Sequence, residues 1–246
     1  MKLRVATYNI HKGFSNFNLR MMVHELRQQL RTLKADIVFL QEVQGEHQGH
    51  AEHLAAWPKA PQYEFLADQV WPEFAYGRNA VYDHSDHGNA ILSRYPIISA
   101  ENQDISNHRF EHRGLLHCEI TVDGLHLHCM CVHLGLNASG RRNQVQALTE
   151  RVQRLVPPEA PLIVAGDFND WRNKAGRELI AALGLTDVLR NRRGLSARTF
   201  PSGLPLLRLD RIYVRGFTVC QAEVHHGLPW SRISDHAPLS AEIELL

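Results

Sequence analysis

No run of the sequence approaches the ~20 apolar residues of a membrane-spanning helix, so no transmembrane segment is expected; attachment to a membrane surface stays open. An excess of one charge is also missing. Lys and Arg number 27 against 26 Asp and Glu, a net charge of +1. A protein that grips duplex nucleic acid by charge usually shows a strong basic excess, so here only a local patch could serve. Cysteine is sparse: Cys118, Cys129, Cys131 and Cys220, none in a Cys-x-x-Cys pair. That spacing indicates neither a zinc ribbon nor a thioredoxin-like site. A chain of 246 residues is long enough to bury its own core without disulfide staples, and the four are expected to be reduced core thiols. Met1-Lys2-Leu3-Arg4-Val5 lacks the apolar stretch of a signal peptide, and a cytoplasmic location is expected. Repeats, low-complexity tracts and linkers are absent too, which implies one domain over residues 1–246.

What is present is an alternation of short β-type runs with a few helical ones. Leu3–Ile10 reads as a strand, and Leu19–Leu33 as an amphipathic helix carrying Met22, Leu26, Leu30 and Leu33 near helical spacing. Ile37–Leu40 and Asn89–Leu92 are short apolar runs that fit buried strands. Leu115–Val122 and Leu125–Leu134 are joined by Asp123-Gly124, a strong hairpin signal. Arg141–Val156 and Gly176–Leu183 read as helices, and Pro161–Ala165, Leu209–Val214 and Leu239–Leu245 as strands. Hairpins mixed with helices exclude a purely parallel doubly wound sheet and point to a layered α/β or α+β fold. Trp57–His87 is rich in aromatics and proline without clean periodicity, and is expected to be a long decorated loop.

Polar residues recur where these apolar runs end, the place from which a buried strand delivers a side chain with little freedom. Asn9 ends the first run and Gln41-Glu42 the third. His133 closes the hairpin, Asp167 and Asn169 follow Leu162-Ile163-Val164-Ala165-Gly166, Asp210 sits in the late strand, and Asp235-His236 precedes the last. Several carboxylates with amide oxygens make a hard, oxygen-rich site, suited to magnesium or manganese rather than zinc. Asn169 lies two residues after Asp167, so in extended geometry both face one side. One could act on a water while the other donates to a phosphoryl oxygen. His236 could stabilise charge on phosphate or protonate a leaving group, kept cationic by a facing carboxylate.

Taken in order, Thr7-Tyr8-Asn9-Ile10-His11, Leu40-Gln41-Glu42-Val43, Gly88-Asn89-Ala90-Ile91-Leu92-Ser93, Val132-His133-Leu134, Ala165-Gly166-Asp167-Phe168-Asn169-Asp170, Leu209-Asp210-Arg211-Ile212-Tyr213 and Ser234-Asp235-His236-Ala237-Pro238-Leu239 resemble the endonuclease/exonuclease/phosphatase superfamily, in particular its small bacterial members. Gly-Asp-Phe-Asn and Ser-Asp-His are the most specific parts. The resemblance implies a four-layer α/β/β/α sandwich, two mixed and mostly antiparallel sheets flanked by helices. It implies a Mg2+- or Mn2+-dependent hydrolase of phosphate esters. Glu42 would be the principal metal ligand, with Asn9 and Asp235 beside it. Asp167 would orient or deprotonate the attacking water, Asn169 and His133 would hold phosphoryl oxygens, and His236 would stabilise the transition state with Asp210 as its carboxylate partner. Asn89, Arg113 and His11 are candidate substrate contacts. His11 either faces the site or packs, and Arg141 and Gln144 either reach phosphate or lie on the helix surface, the latter preferred for Arg141. DNA-repair members read Trp-Asn-x-x-Gly at the first motif. Tyr8-Asn9-Ile10-His11-Lys12-Gly13 departs from that, which weighs against a repair nuclease and leaves the metal chemistry untouched. The expected partner is a phosphate-ester substrate (a small molecule, a lipid headgroup or a nucleic acid), acted on by a monomer. A phosphodiesterase or phosphatase is the first reading and a nuclease of DNA or RNA the second, with Trp57–His87 and Asn107–Arg113 as the specificity loops.

Two histidine groups invite a zinc reading that the pattern does not support. His47, His50 and His53 sit in a polar stretch with no Cys or carboxylate at tight spacing. His126 and His128 share a strand face from which His133 is excluded by alternation. Trp57 and Trp71 could stack on a base or sugar, although burial is the ordinary fate of Trp.

Overall fold

The computed structural model describes residues 1–15, 19–47, 56–82, 85–108, 111–190 and 194–246. Its strands are β1 (Lys2–Asn9), β2 (Ile37–His47), β3 (Glu73–Tyr82), β4 (Ser85–Ser93), β5 (Ile97–Asp104), β6 (Gly114–Val122), β7 (Leu125–His133), β8 (Leu162–Asp167), β9 (Thr186–Asp187), β10 (Asp210–Arg215), β11 (Phe217–Val224) and β12 (Leu239–Leu245). The helices are α1 (Val23–Thr32), α2 (Gln62–Ala67), α3 (Ala138–Leu155), α4 (Lys174–Leu183) and α5 (Trp230–Ile233). Two six-stranded sheets form, ordered β11-β12-β1-β2-β4-β3 and β5-β6-β7-β8-β10-β9. Each contains one parallel pair, β1 with β2 and β7 with β8; the other pairings are antiparallel.

Alternation along the strands builds the layers. In β1, Leu3 and Val5 join the cluster between the sheets, while Ala6 and Tyr8 join the one under α1 and α5. In β8, Ile163 and Ala165 face inward, while Leu162 and Val164 pack under α3 and α4. Three apolar layers thus separate helix, sheet, sheet and helix, the four-layer sandwich. Asp123 and Gly124 both take positive φ (50° and 82°), the geometry that a two-residue hairpin turn requires.

The differences from the expected elements have physical causes. Trp57–His87 is not a long loop: it contains α2, β3 and the start of β4, with residues 83–84 outside the described part. Its Trp71 is buried and donates Nε1–H to the Ala35 carbonyl at 3.0 Å, and Trp57 stacks on Phe14. Strands β5 and β11 lacked a sequence signal. β5 is largely exposed, and β11 packs one side on the inter-sheet core through Phe217, Val219, Ala222 and Val224 with its alternation broken by a bulge; both owe their form to pairing with β6 and β12. All four cysteines are free, but Cys220 is exposed rather than in the core. His50 and His53, with the side chain of His47, lie outside the described residues.

Candidate active site

The site forms where the inter-sheet core stops. Asn9, His133, Asp167 and Asp210 continue the inward faces of β1, β7, β8 and β10, in step with Val5, Cys131, Ala165 and Ile212. Strand register brings them together. Asp167 pairs with His133 on one side and with Asp210 on the other. Gly166 makes this approach possible. Its φ is 147°, and a Cβ there would lie 1.9 Å from the Val132 carbonyl oxygen, so only glycine fits beside β7.

Glu42 arrives differently. Alternation from Val38 and Leu40 would send it under the helices with them. Instead the β2–β4 register shifts between Leu40 and Val43, and Glu42 takes φ 55°. This bulge turns its carboxylate into the site and returns Val43 to the helix-side core. Strain of this kind at a non-glycine residue persists only where surrounding contacts hold it.

Asn9 joins the two sheets chemically. Its Nδ2 donates to Glu42 Oε1 and to Asp167 Oδ2, both at 3.2 Å. Asp167 Oδ1 accepts the Asn169 backbone N–H at 2.9 Å, and Asp167 Oδ2 lies 3.5 Å from His133 Nε2 and 3.8 Å from His236 Nε2. The far nitrogen of His236, Nδ1, meets Asp210 Oδ2 at 2.9 Å. Ser234 fixes the His236 loop, donating Oγ–H to the Asn9 carbonyl at 2.7 Å and accepting the His236 N–H at 3.2 Å.

The charges follow from these neighbours. Burial alone would depress the His236 pKa, but Asp210, by charge and hydrogen bond, and then Asp167 and Asp235 raise it, so the imidazole is cationic. Burial, with Asp210, pushes Asp167 up from the ordinary carboxylate range, against the pull of His236, the Asn169 N–H and Asn9. His133 goes the other way: burial and Arg113 lower it to about 3, leaving it neutral near pH 7. Glu42 is desolvated, yet its neighbours hold its pKa below the usual value. With His133 neutral, the groups that do so are the Asn9 amide, Lys12 and His11.

A cavity of about 430 Å³ opens over this cluster. One wall carries the cations Lys12 and Arg113 beside His87, which burial holds neutral with its pKa lowered to about 4; the other is apolar, with Leu136, Trp171, Phe200 and Leu207. His11 Nδ1 lies 3.5 Å from Asp235 Oδ1 and 3.9 Å from Glu42 Oε2. His11 therefore sits against these two carboxylates and is not among the residues that line the cavity. Among the described residues no Lys or Arg comes within ion-pair distance of either carboxylate. Asn9 turns its Nδ2 toward Glu42, while its Oδ1 accepts the His11 N–H at 3.1 Å, so Glu42 and Asp235 supply the free carboxylate oxygens on this side of the site, hard ligands suited to magnesium or manganese. Asp167, Asp210 and His236 also cluster within 4.8 Å, but the charge on His236 already answers those two carboxylates.

Residues 6–236 match the Endonuclease/Exonuclease/phosphatase family. The chain belongs to this family. It is 52% identical over 247 residues to the uncharacterized protein YbhP of Escherichia coli (strain K12), covering 98% of this chain and 96% of that one. Its fold is similar to that of an endonuclease/exonuclease/phosphatase from Beutenbergia cavernae, with TM-score 0.80 and 21% identity over 99% of this chain and 72% of that one. It is also similar to the Bacteroides thetaiotaomicron mannosyl-6-phosphatase Bt3783, with TM-score 0.73 and 17% identity over 99% of this chain and 100% of that one. D. rerio TDP2 complexed with single strand DNA product gives TM-score 0.69 and 20% identity over 99% of both chains.

Within this family fold several expected contacts take other places. Asn169 and Asp167 do not share an extended face: β8 ends at Asp167 and Asn169 has φ 48°. Asn169 still lines the cavity, with its Nδ2 donating to the Leu134 carbonyl at 2.9 Å. Asn89 is fully buried away from the cavity wall and fastens the sheets, donating to the Gly114 and Cys131 carbonyls at 2.9 and 3.3 Å. Arg141 is not a surface residue: buried, it donates to the Gly135 and Leu136 carbonyls at 3.0 and 2.7 Å and lies over the Trp171 ring. Gln144 accepts the Gly135 N–H at 2.7 Å, so it braces the same loop. Arg113 does line the cavity, and its Nε is buried without a hydrogen-bond partner among the described residues. Lys12, His87, Phe200 and Trp171 were not selected from the sequence. Lys12, which falls inside the first motif, and His87, which ends the segment Trp57–His87 read as a specificity element, carried a signal there; Phe200 and Trp171 carried none.

Proposed function

We propose that the protein is a Mg2+-dependent hydrolase of phosphate esters, a phosphodiesterase or phosphatase. The observation that carries this reading is the file Asp210–His236–Asp167–Asn9–Glu42, which sets a cationic histidine, a buried carboxylate of raised pKa and an ionised carboxylate around one cavity. Asp167 takes a proton from the attacking water, a task for which a pKa moved toward neutrality suits it. His236 meets the charge that grows on the phosphoryl oxygens, and Asp210 keeps it protonated. Asn169 offers its second amide N–H, and neutral His133 its Nε2–H, to the same oxygens. Arg113 and Lys12 draw the phosphate to the basic wall. Glu42 and Asp235, with Asn9 beside them, would hold the metal, which supplies neutralisation of charge on the phosphoryl oxygen during in-line attack. Support from outside the site is the family membership and the phosphatase among the similar folds.

The second reading, a nuclease with the same chemistry, rests on the basic wall and on the fold shared with TDP2. The near-zero net charge weighs against it. The test is hydrolysis with magnesium of a phosphomonoester, a small phosphodiester, single-stranded DNA and RNA, each with an EDTA control. EDTA-sensitive turnover of the small esters supports the first reading; cleavage of nucleic acid only would replace it with the second. Asp167→Asn and His236→Ala are expected to lower turnover on the order of a thousandfold without loss of fold. Near-wild-type rates in either would sink the assignment.

A further inference from the structure

The apolar wall of the cavity continues outward as a surface that no interaction within the chain requires. Phe200 and Leu207 line the cavity and pair with each other as an isolated bridge, closing the loop 200–207. The base of this loop is tied to the Ser-Asp-His motif. Ser202 N–H donates to the Asp235 carbonyl at 2.8 Å, Ser202 Oγ–H to the Ser234 carbonyl at 2.6 Å, and Ala237 N–H to the Thr199 carbonyl at 2.8 Å. Its tip is Leu204-Pro205-Leu206, with Leu204 71% and Leu206 56% exposed. Gly227 N–H reaches the Ser202 carbonyl at 3.3 Å, which sets Leu228, 74% exposed, beside the base of the same loop. Leu136 (66% exposed) and Trp171 (42%) add apolar surface at the cavity mouth. Leucines standing this far into water on a narrow loop contribute nothing to the core and mark a surface that something covers.

The charge around the loop says what kind of surface covers it. Residues 194–209 contain Arg198 and Arg208 and no acidic residue, and residues 225–234 contain Arg232 and no acidic residue. Apolar tips with arginines beside them match the interface of a bilayer that carries anionic headgroups. We infer that the loop 200–207, with Leu228, seats the protein on an anionic phospholipid surface, so that the cavity takes its phosphate ester from that surface. The inference rests on the phosphate-ester reading for its substrate, while the docking itself does not depend on turnover. Because the loop base is hydrogen-bonded to Ser234 and Asp235, insertion of the tip orients His236 toward the headgroups.

The test uses the full chain and vesicles of equal parts phosphatidylcholine and phosphatidylglycerol, with phosphatidylcholine vesicles as the control. Wild type and the double variant Leu204→Asp/Leu206→Asp are compared by flotation. Turnover of bis(p-nitrophenyl) phosphate and of the vesicle lipid is followed in parallel. Wild type is expected to float with the anionic vesicles. The variant should lose on the order of a hundredfold in vesicle affinity, about tenfold for each leucine, and vesicle-lipid turnover should fall in step while the soluble ester is hydrolysed at the wild-type rate. Wild type that stays unbound at both compositions, or a double variant that floats as well as wild type, overturns the inference. Loss of soluble-ester turnover in wild type, with flotation intact and leucine-dependent, strikes the catalytic reading and leaves the docking standing.

Discussion

Asp210→Asn isolates one charge and leaves the shape of the site. Asp210 Oδ2 lies 2.9 Å from His236 Nδ1, and both residues are buried. Asparagine still presents an oxygen to the imidazole N–H but no charge. At ~4 Å between charge centres and an effective dielectric of ~20, the lost attraction is about 4 kcal/mol, equivalent to about 3 pKa units. Burial, which opposes charge on His236, is then answered only by Asp167 and Asp235. The sign is fixed: a histidine held above its ordinary pKa stays protonated through neutrality, and removing its partner brings deprotonation down into the assay range. The variant's kcat/KM should therefore fall as pH rises through neutrality, reaching roughly a hundredfold below its acidic plateau near pH ~9, where wild type is still level on this limb. The assay is a pH series of kcat/KM on a soluble phosphodiester at saturating magnesium, with circular dichroism to confirm the fold. A variant profile parallel to that of wild type, or no loss at all, would refute the role of Asp210 as the group that keeps His236 charged.

Glu42→Gln removes the carboxylate proposed as the principal metal ligand. The magnesium concentration for half-maximal activity should rise at least about tenfold, and the gain in melting temperature that magnesium confers on wild type should shrink; an unchanged titration would move the metal elsewhere. His117 predicts acid sensitivity. Arg151 donates Nε–H to His117 Nδ1 at 3.3 Å, so the His117 proton sits on Nε2, 3.1 Å from His128 Nδ1. Burial, then Arg151 and His128, lowers the His117 pKa to about 4, below the ordinary ~6.5. The folded chain then binds fewer protons than the unfolded one, and this stability is complete above about pH 6.5 and drains as pH falls toward about 4. Melting temperatures of His117→Gln should be flatter over that window than those of wild type, and equal slopes would exclude His117 as a contributor. Arg141→Ala strips the donor from the Gly135 and Leu136 carbonyls and should cost about 2–3 kcal/mol in urea melts, with a raised KM because Leu136 and Trp171 line the cavity. A loss below about 0.5 kcal/mol would show that the loop holds itself.

Much of this architecture was legible in the order of residues, for local reasons. Short apolar runs marked the central strands, helical spacing marked α1, and Asp123-Gly124 marked the hairpin, because each signal is read over a few residues. The edge strands β5 and β11 carried little such signal. β5 is exposed almost throughout and has little apolar face to write into its sequence, while in β11 a bulge between Val219 and Gln221 breaks the alternation of Phe217, Val219, Ala222 and Val224, which pack on the inter-sheet core. Asn89 illustrates a different limit. Its place in a motif pointed to substrate, while its Nδ2 bridges carbonyls of the other sheet inside the molecule.

By itself the sequence determined which side chains are available and where the strands that carry them end. Asn9, His133, Asp167 and Asp210 follow the inward parity of their strands, so their convergence was latent in a period of two. Only the tertiary structure decided the rest. The parallel pairing of β7 with β8 and the antiparallel pairing of β8 with β10 set the register that brings His133, Asp167 and Asp210 level. The bulge at Glu42 reverses the face that alternation assigns it. The Asp210 carboxylate meets His236 across 26 positions of chain. The charge of His236 and the neutrality of His133 depend on what surrounds each ring once buried. Those are energies of assembled neighbours, and nothing in the local chain encodes them.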